Sequence, residues 1–243
     1  VRLDQWGLRL KNKKMKKRSK RYKELKKLST KGKKVVLKDV IELVKKTSTT
    51  KFDESIDISM RINLKQSKGG DFNLRTVVKL PNGSGKKIKV AVLCEADKIE
   101  EAKNSGAETF GSEDLLEKIA EGKFNFDKLV CTPGMMSKVG KHGKVLGPKG
   151  LMPNPKLGTV ATDIKKAVQD IKNGLIEVKN DKDGNVAATI GRKSFSNDNL
   201  TKNFDYFIDS IKKERPENMK GELVKNVFLT SSMGISYKLS GVK

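Results

Sequence analysis

The sequence predicts an α/β protein in which an α+β domain, built from both ends of the chain, is interrupted by an inserted α/β domain. Three observations predict this fold class. Toward both ends, strands with an apolar residue at every second position accompany amphipathic helices. In the middle, short and almost wholly apolar strands alternate with helices, as in a parallel sheet covered on both faces. Glycines mark the two places where one pattern replaces the other.

These patterns place the α+β domain at residues 15–82 plus 174–243 and the insert at residues 83–173. The two segments that cross between them are expected to form a double-strand hinge, with Gly83 and Gly174 side by side. Residues 1–14 precede the first methionine and are expected to form a disordered N-terminal extension.

The first part of the α+β domain holds one helix and two strands. Residues 37–46 carry apolar side chains at helical spacing, and residues 56–64 are apolar at every second position, which predicts a half-buried strand. Residues 65–71 contain two adjacent glycines and predict a loop. Residues 74–80 predict a second strand, which ends at a Pro-Asn-Gly turn.

The insert begins at residues 88–94, an almost continuous apolar run that predicts a strand buried on both faces. A helix, a strand, a helix and a strand follow, at residues 97–104, 107–110, 113–121 and 129–132. Ser112 stands where the N-cap of the second helix belongs, and a last helix of the insert is capped by Thr162 or Asp163. This alternation predicts parallel strand pairing, with helices packed across the sheet.

The first pattern resumes after Gly174. Residues 175–179 and 186–190 predict a β-hairpin, because Asp183-Gly184 between them is a strong turn signal. An amphipathic helix and two further strands are expected at residues 200–211, 223–230 and 235–239.

The charge of the chain predicts a polyanionic partner. Its 243 residues include 53 Lys+Arg against 29 Asp+Glu, which gives a formal net charge of +24. Such a surplus repels itself in a compact protein, so nucleic acid and anionic membrane are the main candidates. Only eight of the 53 are arginine, and lysine suits phosphates better than base edges. A membrane is the weaker candidate, because no stretch approaches the ~18 consecutive apolar residues of a spanning helix.

The sequence offers no catalytic, metal or cofactor site. Cys94 and Cys131 each end an apolar run and are expected to be small buried hydrophobes, and the single histidine, His142, cannot build a histidine-based metal cluster. Residues 83–87 resemble the end of a phosphate-binding loop, but Lys87 replaces the required Ser or Thr. A nucleotide-dependent enzyme seated in the insert is the alternative from another class, with no residues to support it.

The mode of binding follows from the scarcity of aromatic residues, which make up 5% of the chain. Proteins that bind single strands stack bases on aromatic platforms, so folded RNA, held through its backbone and 2′-hydroxyls, is the better match. Phe52 follows Lys51 at the start of a strand. It is either an exposed stacking residue or an ordinary core phenylalanine.

Residues 135–155 read MMSKVGKHGKVLGPKGLMPNP, which resembles the signature of the ribosomal protein L-one family, the stalk proteins of the large subunit. Four further segments look like family segments in family order: KFDE at 51–54, LPNG at 80–83, NDKDG at 180–184 and TSSMG at 230–234. The resemblance extends from about Met15 to the C-terminus. It implies a split RNA-binding domain joined by two hinge strands to a Rossmann-like insert. We interpret residues 140–155 of this motif as a rigid loop, shaped by proline and glycine, that packs the insert.

The resemblance also implies a function and partners. Such proteins are structural constituents of the large ribosomal subunit, bind a kinked helical element of its RNA to form a mobile stalk next to the tRNA exit site, and assist release of deacylated tRNA. Many also repress translation by binding their own mRNA leader with the same surface, so the sequence does not separate this role from the ribosomal one. The implied location is the cytoplasmic ribosome, with an organellar ribosome as alternative, and the implied state is a monomer within the ribosome, with no cofactor and no membrane.

The family's RNA-contacting positions match three short segments. They are Lys51, Phe52, Glu54 and Ser55; Lys193 and Ser194; and Thr230, Ser231, Ser232, Met233 and Gly234. Hydroxyls and backbone amides of the last segment suit 2′-hydroxyls and phosphates, and Gly234 would let the backbone approach closely. The chain departs from the family pattern in the loop at 65–70 and at Ile235, where the family usually has proline.

Overall fold

The computed structural model describes residues 18–30, 33–64, 73–122, 124–216, 219 and 221–241, so the expectations for residues 1–14 and for the loop at 65–70 lie outside the described residues. The α-helices over the described part are α1 Lys20–Lys27, α2 Leu37–Thr47, α3 Ile99–Asn104, α4 Glu113–Ala120, α5 Met136–Lys141, α6 Gly143–Leu146, α7 Ile164–Lys172 and α8 Asn197–Lys213. The β-strands are β1 Ser55–Ile62, β2 Arg75–Lys79, β3 Val90–Leu93, β4 Thr109–Gly111, β5 Lys128–Cys131, β6 Leu175–Lys179, β7 Asn185–Arg192, β8 Val224–Ser231 and β9 Tyr237–Lys238. The predicted mixture of helices and sheets is confirmed.

Strand β1 lies inside a four-stranded antiparallel sheet ordered β7-β1-β8-β9. Its alternating sequence explains this position, because Ile56, Ile58, Met60 and Ile62 are each at most 1% exposed. These four side chains share one hydrophobic core with the apolar faces of α2 and α8. The predicted half-buried strand and both amphipathic helices are therefore confirmed.

Strand β3 is the middle strand of a parallel sheet ordered β4-β3-β5, as the alternation of strands and helices predicted. Because side chains alternate along a strand, Val90 and Val92 join α3 and α7 in one core, while Ala91 and Leu93 join α4, α5 and α6 in another. Helices therefore cover both faces of this sheet, which is why its central strand could be almost wholly apolar.

The predicted β-hairpin between β6 and β7 is wrong. The tight turn itself forms, because Asp181 Oδ1 accepts hydrogen bonds from the amides of Asp183 and Asn185, at 3.0 and 2.6 Å. However, β6 pairs with β2 in a separate two-stranded sheet and β7 pairs with β1, so that only a bridge between Asn180 and Val186 joins the two strands. A turn signal sets the reversal of the chain, whereas burial of apolar faces selects the partner strand.

The motif at residues 135–155 contains two short helices, α5 and α6, and α6 lies wholly within residues 140–155, where we expect a loop. Val139 and Leu146 from these helices are fully buried beneath the parallel sheet. The motif therefore packs the insert as expected, although through helices. The thiols of Cys94 and Cys131 are also buried, as expected, and burial raises the pKa of both, that of Cys131 to about 11.

Gly83 and Gly174 lie against each other where the chain passes between the two patterns. Their φ angles are 67° and 97°, and a Cβ on residue 174 would lie 2.6 Å from the Cα of Gly83. Both the left-handed backbone and this close approach require glycine at residue 174. The predicted juxtaposition is confirmed, whereas the domain division and a hinge motion stay predictions.

Candidate nucleic-acid interface

Three segments that are distant in the chain meet at one end of the four-stranded sheet. Because both pairings of β1 are antiparallel, Ser55 lies opposite Arg192 and Ile56 lies opposite Ser231. The segments are residues 48–55, 192–195 and 230–234, and we call their combined outer face the three-segment surface. Every RNA-contacting residue expected from the sequence lies in one of these segments.

Glu54 links two of the segments from beneath the surface. Its side chain is fully buried, and its Oε1 accepts hydrogen bonds from the amide and the hydroxyl of Thr50, at 3.2 and 2.8 Å. Its Oε2 accepts a hydrogen bond from the Met233 amide at 3.1 Å. The carboxylate therefore fixes the loop before β1 against the turn after β8.

The hydrogen bonds also determine the charge of Glu54. Burial by itself raises the pKa of this carboxyl, but the Ser231 and Thr50 hydroxyls and the Met233 and Thr50 amides outweigh it and hold the pKa below its usual value. The buried Ser231 hydroxyl lowers the pKa because it lies close to the Glu54 carboxylate, although it has no partner in good hydrogen-bond geometry. Glu54 is therefore ionised at neutral pH and accepts these hydrogen bonds as a carboxylate.

The segment after β7 is tied to the same loop. The amide and the hydroxyl of Ser194 donate to the two carboxylate oxygens of Asp53, at 3.1 and 2.9 Å. The Lys193 amide donates to the Glu54 carbonyl at 2.8 Å, and its ammonium donates to the Ser48 carbonyl. Lys193 therefore adds positive charge near the surface while it holds the loop in place. Asp53, which the sequence did not single out as a site residue, positions Ser194.

The turn after β8 requires glycine at residue 234. The Ser232 amide donates to the Ser55 carbonyl, and the Ser55 amide donates to Ser232 Oγ, both at 3.1 Å. The Gly234 amide then donates to the Ser231 carbonyl at 3.2 Å. A Cβ on residue 234 would lie 2.3 Å from the Ser231 hydroxyl oxygen, which is buried and has little room to move.

Arg21 is a member of this network that the sequence did not reveal. It extends from α1 and donates to the Met233 carbonyl at 2.7 Å and to Thr49 Oγ1 at 3.1 Å. The stretch around it is rich in lysine, which by itself does not predict an ordered helix. The signal for an ordered helix was Ser19, which caps α1 by accepting a hydrogen bond from the Tyr22 amide at 3.2 Å.

Above this network, a small group of side chains faces solvent. Phe52 is 54% exposed and Met233 is 53% exposed, so two large apolar side chains face solvent on this one surface. Lys51 and Ser232 are exposed beside them in the chain. The open question about Phe52 is therefore resolved, because it is not a core residue.

The structure corrects the expectation for Glu54 and Ser231. They are 0% and 3% exposed, so neither can contact RNA directly in this arrangement. Both instead position residues that are exposed. Glu54 immediately precedes β1, and Ser231 is the last residue of β8. Both side chains are buried because they lie on the face of the four-stranded sheet that packs against the hydrophobic core.

The crevice at the carboxyl ends of the parallel strands is where a nucleotide binds in folds of this type. Here the Glu95 carboxylate, which follows β3, packs directly onto Gly134, and a Cβ there would lie 1.8 Å from Glu95 Oε1. A carboxylate in this position repels phosphate. Among the described residues there is no group of three or more side chains suited to hold a metal ion, and no helix that could cross a membrane.

Comparison with known proteins gives consistent matches. Residues 44–235 match the model of the ribosomal protein L1p/L10e family. The chain is 57% identical over 205 residues to the large ribosomal subunit protein uL1 of Pelagibacter ubique (strain HTCC1062), which covers 84% of this chain and 89% of that protein. It is 42% identical over 203 residues to the large ribosomal subunit protein uL1 of Rickettsia canadensis (strain McKiel), which covers 84% of each.

Proposed function

The chain belongs to the ribosomal protein L1p/L10e family, and from that premise we propose that it binds folded large-subunit ribosomal RNA through the three-segment surface. As a member of this family it is a structural protein of the large ribosomal subunit and not an enzyme. The rival hypothesis of a nucleotide-dependent enzyme is therefore set aside.

One observation supports this RNA site more than any other. Phe52 and Met233, both more than half exposed, stand on backbone that the buried Glu54 carboxylate holds in place. A soluble protein gains nothing by fixing two large apolar side chains in water, so the arrangement favours a partner that covers them. The chain's net charge of +24 favours a polyanion as that partner.

The chemistry of the surface suits the backbone of folded RNA. Phe52 offers an aromatic face to one unstacked base, and the exposed Lys51 attracts phosphate. The Ser232 hydroxyl, whose oxygen accepts from the Ser55 amide, can donate its own proton to a 2′-hydroxyl or phosphate oxygen. The amides of its turn are already bonded within the protein. Because the network fixes these groups before RNA arrives, binding loses little conformational entropy.

We further propose the family's two-domain arrangement for this chain, with a domain at residues 15–82 plus 174–243 and a Rossmann-like insert at residues 83–173. A cleft of about 910 Å³ beside Gly83 supports a hinge here, because it leaves room for the two parts to move. In this proposal the RNA-bound domain anchors the protein, and the insert swings with deacylated tRNA as it leaves the exit site. Repression of translation through the protein's own mRNA leader would use the same three-segment surface. For its location, we propose the bacterial cytoplasmic ribosome.

The proposal is tested by Phe52→Ala, with Phe110→Ala as the matched control. Phe110 is also exposed, at 38%, but lies on β4, away from the three-segment surface. We expect Phe52→Ala to weaken binding to a kinked stalk fragment of large-subunit ribosomal RNA by about 1–3 kcal/mol, the usual contribution of a base-stacking aromatic residue. Phe110→Ala should leave the affinity unchanged, and neither change should alter the melting temperature.

Equal affinities for Phe52→Ala and the unaltered protein would contradict the proposed site. The messenger role has its own measurement, in which a reporter is fused to the protein's own leader. Repression that disappears with Phe52→Ala would support a shared surface, whereas repression that survives the substitution would separate the two roles.

A further inference from the structure

The edge of the parallel sheet at β4 differs in charge from the rest of the chain. Residues 95–127 contain ten acidic and four basic residues, although the whole chain has a net charge of +24. Residues 128–162, which follow directly, contain six lysines and no acidic residue. A surface of negative sign repels phosphates, so this part of the insert is not an extension of the proposed RNA site.

The fold places the acidic residues on both sides of one exposed strand edge. Strand β4 stands at the end of the order β4-β3-β5, with α3 on one face of the sheet and α4 on the other. The first turn of α3 carries Glu100 and Glu101, and that of α4 carries Asp114 and Glu113, of which Glu113 already forms an ion pair with Lys138 at 2.7 Å. An edge strand presents unpaired N–H and C=O groups, which can pair with a further strand.

The same edge has apolar groups that could hold a side chain. Phe110, the middle residue of β4, is 38% exposed. On the other face of the sheet, a groove of about 670 Å³ lies between Thr109 of β4 and α4. Its lining includes Phe124 and Phe126, packed edge to face with ring centroids 5.8 Å apart, and the Lys149 ammonium lies 3.7 Å from the Phe124 ring centroid. Asp114 and Glu117 line this groove, and neither carboxylate forms an ion pair with a described residue.

We propose that the β4 edge is a docking site for a lysine- or arginine-rich segment of another protein, which adds to β4 as an extended strand. In an added strand, successive side chains point to opposite faces of the sheet, so basic residues would reach the carboxylates of α3 and α4 in turn. An apolar side chain of the segment would enter the groove beside Thr109, and the side chain next to it in the segment would lie over Phe110 on the other face of the sheet. Charge complementarity selects this partner over RNA, because the carboxylates of Asp114 and Glu117 line the groove, whose lining includes one lysine, Lys118.

The test uses the full chain and a fluorescent peptide of repeating Lys-Lys-Val, which presents lysine and valine on both faces of an extended strand, with a peptide of repeating Glu-Glu-Val as its counterpart. The double change Asp114→Lys/Glu117→Lys reverses two exposed charges at the groove. The double change Glu42→Lys/Glu222→Lys alters the net charge equally, at exposed positions outside the insert. Fluorescence anisotropy at ~0.15 M salt should show saturable binding of the lysine peptide alone. The substitutions Asp114→Lys/Glu117→Lys should weaken binding of the lysine peptide about tenfold, whereas Glu42→Lys/Glu222→Lys should weaken it less than about twofold.

Phe110→Asp separates docking on the edge from simple charge attraction. It adds a negative charge, so attraction by charge alone would strengthen binding, whereas docking beside Phe110 should weaken it about tenfold. Absence of saturable binding to the full chain, equal losses from the two charge-reversed pairs, or tighter binding by Phe110→Asp would each overturn the proposal. Displacement of the peptide by a single-stranded RNA that competes for the groove would also overturn it. None of these outcomes depends on the three-segment surface.

Discussion

Among the single residues, Glu54 is the most important for the surface, because its buried carboxylate determines the positions of exposed side chains. It joins Thr50 to Met233 by three hydrogen bonds and leaves both Phe52 and Met233 facing solvent. A buried charge is retained only when such partners compensate for its lost hydration. Its conversion to a neutral group should therefore affect both stability and the shape of the surface.

We predict that Glu54→Gln lowers the free energy of unfolding at neutral pH by about 1–3 kcal/mol, because charge-assisted hydrogen bonds become neutral or lose their acceptor. The substitution should also weaken binding of the kinked RNA fragment, since the Met233 amide loses its anchor. Urea denaturation and fragment binding measure the two effects separately.

The effect of Glu54→Gln should depend on pH in a defined direction. The pKa of Glu54 in the folded protein lies below its ordinary value of 4.5. Its stabilisation is therefore complete above pH 4.5 and is lost as the pH falls from there through the lower folded-state pKa. The stability difference between the two proteins should shrink over that range. A difference that stays constant from neutral pH to about pH 3 would contradict this role.

The segments that form the site could be predicted from the sequence, but the role of each residue within them could not. The motifs at 51–54 and 230–234 identified the segments, yet Phe52 could be assigned to neither core nor surface, because it precedes the alternating pattern of β1. The burial of Glu54 depends on contacts with the distant Met233, which no local pattern specifies. Arg21 was missed for the same reason, since a run rich in lysine does not reveal which of its residues pack.

Among the elements, the turns show how far local chemistry determines structure. The turn before β7 forms where Asp183-Gly184 predicted it, but the strands on its two sides pair elsewhere. The turn after β8 depends on a contact between Gly234 and the buried Ser231 hydroxyl, which only the folded sheet creates. Strand and helix positions followed from periodicity, whereas partners and contacts required the whole sheet.

We predict that Gly234→Ala weakens RNA-fragment binding and lowers the melting temperature, because the new Cβ would lie 2.3 Å from Ser231 Oγ. Gly140→Ala is the matched control, since it adds a methyl group in α5 where no other atom lies within 4 Å. That change should leave RNA binding unaffected and raise stability by about 0.5–1 kcal/mol. Similar losses of RNA affinity in both variants would show that the turn has no special role.

At the scale of the whole molecule, the chain crosses between its two patterns at one point, where Gly83 and Gly174 touch. Composition changes located this point in the sequence, because alternating strands give way there to wholly apolar ones. The acidic stretch at residues 95–127, in an otherwise basic chain, also follows from the sequence. The amplitude of any motion does not follow from either, since it depends on the free energies of two arrangements.

We predict that Gly174→Ala lowers the free energy of unfolding by about 2–4 kcal/mol, because it combines a left-handed backbone with a contact of 2.6 Å to Gly83. Gly122 has a similar φ of 78°, but an added Cβ there would meet nothing within 4 Å. Gly122→Ala should therefore lower the free energy of unfolding by only about 1 kcal/mol. Urea denaturation measures the free energy of unfolding of both variants, and the difference between their losses gives the contribution of the contact apart from the backbone strain. Equal costs would mean that the close approach of the two crossings contributes nothing to stability.

The central claim, that the three-segment surface binds folded ribosomal RNA mainly through its backbone, is tested most directly by a salt titration. Binding to a kinked stalk fragment of large-subunit ribosomal RNA is measured beside a straight duplex of the same length. We predict tight binding to the kinked fragment alone at moderate salt, with an affinity that falls steeply, as expected when ~6 phosphates are neutralised. Equal binding to both RNAs, or an affinity that does not change with salt, would contradict the claim.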